Sequence, residues 1–319
     1  MTLEKTKYDY LYSFKYDIHH TELSKLESRQ LFEKEANDKV LFSDNKINPS
    51  ISPFIKARLD IILSAPSYEL LLEKVKTKDI HIEGFNVDYL ILEGDSTHFT
   101  DRRIKQNDIG HCIEGEPDFE NPSITYAICC QKNTWYFGIL VKHQIGWHEH
   151  KKKPCSFSNS INMDIAKTLV SIASKGLKTN TLLDGCCGVG TAMLEACFAG
   201  FQIEGCDINY KAVKHSRENL AYYNYTAKVH CSDIKDLDQQ YHAVIIDLPY
   251  NLYSYADDSI ITNIIESAAK LSERVIIVSI LDIESKIKKL GLKVTDFCTV
   301  DKKGKSKFTR NIWVCERIA

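Results

Sequence analysis

The sequence predicts an α/β second half, a seven-stranded and mostly parallel sheet with an antiparallel edge strand, preceded by a smaller α+β domain. Three observations carry this expectation. From Thr181 onward, short apolar runs alternate with helical patterns at the spacing of a parallel sheet covered on both faces. The last two runs are joined by the turn-like Asp301–Lys307, which suggests an antiparallel addition at one edge. The first half shows strands and helices without that alternation, and the stretch Gly146–Ser160, rich in charge, Ser and Pro, separates the two.

In chain order, Tyr8–Tyr16 reads as a strand and Thr21–Phe32 as a helix. Asp60–Leu63 is a short strand before the helical Ser67–Val75, and Val87–Leu92 is another strand. Asp101–Cys112 is a polar helix; Ser123–Cys130 and Thr134–Val141 form a hairpin over Gln131–Asn133. Beyond the linker come the helix Met163–Ala173 and the strand Thr181–Leu183, which ends at Asp184. The helix Thr191–Ala199, the strand Phe201–Gly205, the helix Tyr210–Tyr223 and the short strand Lys228–Cys231 follow. His242–Ile246 is a stronger strand ending at Asp247, and the helix Ile260–Leu271 precedes the strand Arg274–Ser279. The helix Ile283–Leu290 leads to strands around Val294–Val300 and Asn311–Cys315. The expected division is a small piece over 1–55, an α+β domain over 56–145, a linker over 146–160 and the α/β domain over 161–319.

The bulk composition narrows the classes of function. At 319 residues the chain is too long for one ordinary core, and 44% apolar with 26% charged residues is a soluble globular composition. No apolar run is long enough to span a bilayer, and the charged N-terminus lacks the apolar stretch of a signal peptide. A cytoplasmic protein with no membrane partner is expected. The 11 cysteines include the adjacent pairs Cys129-Cys130 and Cys186-Cys187 but no C-x-x-C, so neither a disulfide framework nor a metal site is expected. Residues 1–150 carry 18 basic and 24 acidic side chains, the remainder 23 and 19. A bound nucleic acid would therefore be held by the second half or by local patches. Candidate patches are Arg102, Arg103, Lys105 and Lys132 with Lys151–Lys153, and the run Lys302, Lys303, Lys305, Lys307 and Arg310. His148 and His150 read as part of a solvated linker.

The strongest local signal is Leu182-Leu183-Asp184-Gly185-Cys186-Cys187-Gly188-Val189-Gly190-Thr191. Glycines let a backbone approach a ligand closely, and the helix start offers unpaired N–H groups. The loop lacks the Lys-Ser/Thr of a P-loop, and Met193 stands where G-x-G-x-x-G needs its last glycine. The pattern D-x-x-x-G-x-G-T resembles motif I of the Rossmann-like methyltransferases. That resemblance implies that Asp184 meets the methionine portion of S-adenosyl-L-methionine, and that Gly188, Gly190 and Thr191 belong to the same cofactor site. Asp207, with Ile208 beside it, follows the next strand and can take both ribose hydroxyls through its two oxygens. Asp233 follows the third strand, where the resemblance implies an acceptor for the adenine amino group and a ring-nitrogen contact from the N–H of Ile234. Ser158, ahead of the helix Met163–Ala173, stands in the segment that closes over the methionine end in similar enzymes.

The fourth strand ends Asp247-Leu248-Pro249-Tyr250, which resembles motif IV of the amino-methyltransferases, [DNS]-P-P-[FYW], with Leu248 at the first proline. An exocyclic amine is a poor nucleophile because its lone pair is delocalised into the ring. An acceptor aimed at its N–H takes up the charge that develops. Asp247 and the carbonyl at Leu248 suit that task. Pro249 stiffens the loop, and Tyr250 offers a face for a base lifted out of its helix.

With these residues the chain is similar to the THUMP-containing tRNA guanine-N2 methyltransferases, Rossmann-like enzymes of class I. The N-terminal likeness runs from Arg102-Arg103-Ile104 through Ile109–Gly115 and Asn121-Pro122 to Trp135–Gly138. It implies a THUMP-like RNA-binding domain over 56–145 behind a ferredoxin-like piece over 1–55. It also implies tRNA as partner and N2-methylguanosine as product, at position 10 of the tRNA, from a monomer or weak dimer. Two alternatives stay open: a DNA or rRNA adenine-N6 or guanine-N2 methyltransferase, and a non-catalytic RNA-binding protein with a decayed methyltransferase domain.

Overall fold

The structure is a computed structural model that describes residues 7–157, 160–249, 258–301 and 309–318. The first part of the chain folds as β1 (Tyr10–Phe14), α1 (Thr21–Phe32), β2 (Val40–Ser43), β3 (Ile55–Ala65), α2 (Tyr68–Lys78), β4 (Ile80–His81), β5 (Phe85–Tyr89), α3 (Phe99–Gly110), β6 (Ile113–Glu114), β7 (Ile124–Gln131) and β8 (Thr134–Lys142). The rest runs α4 (Met163–Ser174), β9 (Thr181–Asp184), α5 (Thr191–Ala199), β10 (Gln202–Asp207), α6 (Tyr210–Tyr222), β11 (Val229–Cys231), β12 (Ala243–Asp247), α7 (Asp258–Leu271), β13 (Arg274–Ser279), α8 (Glu284–Lys289), β14 (Leu292–Asp301) and β15 (Thr309–Arg317). Two compact units emerge: one of residues 1–15, 35–50 and 54–144, the other of 16–34, 51–53 and 145–319.

The first unit is built on a six-stranded sheet in the order β2-β1-β3-β8-β7-β5, with β4 and β6 paired separately. Only β5 and β7 run parallel in the larger sheet. Leu63, Leu71, Val75, Ile109 and Phe137 form its buried core between sheet and helices. The short strand expected at Asp60–Leu63 is in fact 11 residues long, and β2 has no counterpart in the expected elements. Polar residues at Arg58 and Asp60 conceal the length of β3. They are satisfied by each other, with Arg58 Nε 2.5 Å from Asp60 Oδ1.

The second unit carries a seven-stranded sheet in the order β11-β10-β9-β12-β13-β15-β14. Strands β9 to β13 are mutually parallel, and β15 runs antiparallel to both β13 and β14. The antiparallel strand is thus not at the edge, as expected, but next to it. β15 has Ile312, Val314 and Cys315 fully buried, whereas β14 alternates buried and exposed residues. The more apolar strand takes the inner place and leaves the half-polar one at the rim.

Helix α1 corrects the expected division at residue 55, because it belongs with the second unit. Its buried Leu23, Leu26 and Leu31 cover a stripe that packs on α4 and β14. Arg29 grips Asp296 of β14, with Nη2 2.8 Å from Oδ1, and holds that carboxyl below the usual range despite its burial. Glu27 lies fully buried between the hydroxyls of Ser52 and Ser171, and burial pushes its carboxyl up to about 7. Among the described residues no helix is long and apolar enough to cross a membrane.

Candidate active site

The chain steps from β9 to β10 and β11 on one side of the sheet, then returns to β12 on the other. A crevice must open where the order reverses, outside the C-terminal ends of β9 and β12. Four aspartates stand at or just past four adjacent strand ends: Asp233 after β11, Asp207 on β10, Asp184 on β9 and Asp247 on β12. A cleft of about 500 Å³ opens there, lined by Asp207, Asp233, Asp247, Gly188, Ile208 and Pro249 among others. A smaller cavity of about 50 Å³ adjoins it, shares Asp247 and Gly188 with it, and reaches Asp184 and Thr191.

The glycine loop is pinned from both sides. Gly185 donates its N–H to Ile245 O at 2.8 Å, and Cys187 donates to Cys206 O at 3.0 Å. Gly188 and Gly190 both lie at positive φ, +53° and +79°, where side chains are strained. A Cβ on Gly188 would point into open space, whereas one on Gly190 would come 2.4 Å from Ser216 Oγ. Gly190 is therefore required for the close approach of α6. Below the loop, Glu195 of α5 is wholly buried with His150 Nδ1 at 2.7 Å and Lys167 Nζ at 3.5 Å. Lys167 sits over the rings of Trp147 and Phe198 at 5.3 and 4.8 Å, and burial holds its ammonium below the usual lysine range. His150, read from the sequence as part of a solvated linker, is thus a buried member of this network, and it also meets Tyr225 Oη at 3.1 Å. The segment Ile145–Lys152 is a 3-10 helix with Trp147 buried as its anchor.

Each carboxylate has a distinct setting. Asp207 accepts the N–H of Gly188 on Oδ2 at 2.9 Å and that of Asn209 on Oδ1 at 2.8 Å. Each of its oxygens keeps a second lone pair free. Asp233 accepts the N–H of Lys235 at 3.1 Å, with Lys235 Nζ 3.3 Å from its other oxygen. Ile234 turns its side chain into the core under Gly185, while Ile208 is exposed at the cleft. Burial, then the neighbouring charges of Asp247 and Asp207, push the Asp184 carboxyl up to about 8. Burial pushes Asp247 up to about 7 against the opposing pull of Arg310. Arg310, grouped above with the C-terminal basic run, is 2% exposed and acts on this carboxylate.

Leu248 explains its own departure from proline. Its N–H donates to Val278 O at 3.0 Å, a bond proline cannot make, and its side chain lies in the apolar core. Pro249 is exposed at the cleft. Tyr250 and Ser158 lie outside the described residues. The sequence reading missed Phe157, Ser160, Asn209 and Ile264, which also line the cleft. Nothing in an isolated sequence marks such residues, because only the fold brings them to the crevice.

Residues 149–290 match the family model of the methyltransferase small domain. That match covers less than half of the chain; it marks the second unit as similar to a methyltransferase domain and supports S-adenosyl-L-methionine as the cofactor. Over 118 residues, 36% of this chain, the sequence is 30% identical to a tRNA (guanine(10)-N2)-dimethyltransferase of Methanothermobacter thermautotrophicus. The chain spans about a third of that relative's length, 34%. Among solved structures, TrmN from Thermus thermophilus aligns at 12% identity over 97% of this chain and 99% of its own, with a TM-score of 0.48. Magnesium protoporphyrin IX methyltransferase from Synechocystis, solved with S-adenosylmethionine bound, aligns at 18% identity over 55% of this chain and 92% of its own, with a TM-score of 0.42.

The residues present fit that cofactor. Thr191 Oγ1, at the end of the glycine loop, is buried without a hydrogen-bond partner among the described residues and borders the crevice. Unpaired polar atoms in such a place await a polar ligand.

Proposed function

We propose that this chain methylates an exocyclic amino group of a nucleic-acid base, guanine N2 in tRNA, with Asp247 as the proton-side acceptor. The observation that carries the reading is the Asp247 carboxylate, which lines the cleft at the end of β12 and has one buried oxygen unpartnered among the described residues. The curated relative named above, a tRNA guanine-N2 enzyme, supports the choice of base and substrate.

When bound, the cofactor supplies an electrophilic methyl group on a sulfonium. The chain's own residues do the rest. Asp207 has lone pairs left for two ribose hydroxyls, and its hydrogen bond to Gly188 fixes the loop at the same time. Asp233 and the backbone at Ile234, which line the cleft, are assigned to the adenine edge, and Asp184, Gly188 and Thr191 of the adjoining cavity to the methionine end. Asp247 accepts the N–H of the attacking amine and takes up the positive charge that grows on it. Pro249 beside it offers no N–H to compete for that acceptor. The first unit is proposed as the THUMP-like RNA-binding part. Its α3 carries Arg103 exposed and Lys105 over the rings of Tyr68 and Trp135 at 4.4 and 5.6 Å.

Nucleoside mass spectrometry of tRNA from a deletion strain and its parent tests the reading. Loss of N2-methylguanosine is expected, with restoration by the intact gene. An unchanged tRNA profile together with a lost N6-methyladenine in DNA or rRNA would overturn the choice of guanine. The ribose assignment has its own test. Asp207→Ala should weaken S-adenosylmethionine binding about 10- to 100-fold by calorimetry, the loss of one or two hydrogen bonds to a charged group. Unaltered affinity would move the ribose site elsewhere.

A further inference from the structure

Beside the cofactor cleft, Cys155, His215 and Glu218 bring a thiol sulfur, an imidazole nitrogen and a carboxylate oxygen within 4.8 Å of one another. His215 and Glu218 lie on α6, and Cys155 lies on the segment ahead of α4, 63 residues before Glu218. Cys155 Sγ donates to Glu218 Oε2 at 3.1 Å. His215 Nδ1 is buried with no hydrogen-bond partner among the described residues. We propose that these three side chains form a zinc site that fastens the 155–157 segment to α6.

The backbone is already set for it. Asn219 accepts the N–H of Cys155 at 2.9 Å and donates Nδ2 to its carbonyl at 2.9 Å, while a second Nδ2 bond at 2.9 Å reaches Val189 O in the glycine loop. The cysteine is therefore held at one register over α6 without any help from its side chain. Phe157, two residues on, lies 5.4 Å from the His215 ring and lines the cleft. A cation centred among ligand atoms this close sits no more than about 2.8 Å from each. A shift of under about 1 Å per side chain then gives the 2.0–2.3 Å bonds of zinc to nitrogen, oxygen and sulfur. The mixed thiolate, imidazole and carboxylate set suits zinc rather than magnesium or calcium, which want oxygen donors. On binding, the Cys155 thiol gives its proton to solvent and the thiolate, the neutral imidazole and the carboxylate bind the ion, with water completing the coordination. The other group of this kind among the described residues, Asp79, His81 and Glu114, is exposed throughout and lacks a thiol. The absence of C-x-x-C had argued against any metal, but that spacing marks only sites whose ligands are close in sequence.

Cobalt(II) is the probe, titrated into the full-length reduced protein. One equivalent should produce a near-ultraviolet thiolate-to-cobalt band and a tetrahedral visible spectrum, and zinc should displace both. Cys155→Ser should remove the band, while Cys231→Ser, at an exposed cysteine outside the cluster, should leave it. Glu218→Gln, a near-isosteric change at an exposed position, should weaken cobalt binding at least tenfold. Far-ultraviolet dichroism and S-adenosylmethionine binding of each variant show that the fold is kept. No band at one equivalent, or a band that survives Cys155→Ser, would overturn the site.

Discussion

Asp247→Ala should lower methyl transfer by at least about 10²–10³-fold while leaving S-adenosylmethionine affinity within a few-fold. The size follows from removing one preorganised group that meets charge developing in the transition state. Affinity should hold because Asp207, Asp233 and the glycine loop stand on other strand ends. Asp247→Asn keeps a carbonyl acceptor without the charge, so its activity should fall between wild type and Ala. The pH dependence adds a signature that a merely structural aspartate would not give. Burial pushes this carboxyl up to about 7. Only the ionised form accepts well, so kcat/KM for the nucleic-acid substrate, measured at saturating S-adenosylmethionine, should fall as pH drops below about 7. That acid limb should vanish in Asp247→Asn. Unchanged turnover in Asp247→Ala would remove the catalytic assignment, and an unchanged acid limb in Asp247→Asn would place the titrating group elsewhere.

The parts of this fold that were legible in the sequence are those where local pattern and tertiary environment agree. After His242 the run Ala243-Val244-Ile245-Ile246 is apolar and mostly β-branched, and it forms a central strand with all four residues buried. The acids after four strands were legible for the same reason, since a parallel sheet delivers all its strand ends to one edge. What was not legible depends on partners far apart in the chain. The apolar stripe of α1 is plain in the sequence, but not which surface it covers. The answer involves Asp296, 267 residues away from Arg29. Likewise Arg310 reads as one more cation in a basic run, because the sequence does not show that the interior strand β15 buries it near Asp247. His150 and Lys167 look like surface residues by type, and only the buried Glu195 makes their burial tolerable. Leu248 stands where the motif has a proline, and only the fold shows why: its N–H bonds to Val278 O.

Asp184→Asn should act in opposite directions on stability and on cofactor binding. In the folded protein burial and the charges of Asp247 and Asp207 push this carboxyl up to about 8, against about 3.9 in an unfolded chain. Between those values the folded state holds a proton that the unfolded state has released. The group's favourable contribution is therefore full below about pH 4 and is lost as pH rises through about 8. Asparagine is close in shape and has no charge to expose, so it should remove that slope. The cofactor-free variant should melt above wild type at pH 8, by roughly 2–4 °C for each kcal/mol regained, and the difference should shrink toward pH 5. Cofactor binding should move the other way. If Asp184 serves the cationic methionine end, S-adenosylmethionine binding at pH 7 must first take a proton off it. Calorimetry in buffers of different ionisation enthalpy should then show proton release on binding to wild type. Asp184→Asn should abolish that release and weaken affinity about tenfold or more, the loss of one charge-assisted hydrogen bond. A variant that melts with the wild-type pH slope would contradict the raised carboxyl. One that keeps both affinity and proton release would separate Asp184 from the cofactor.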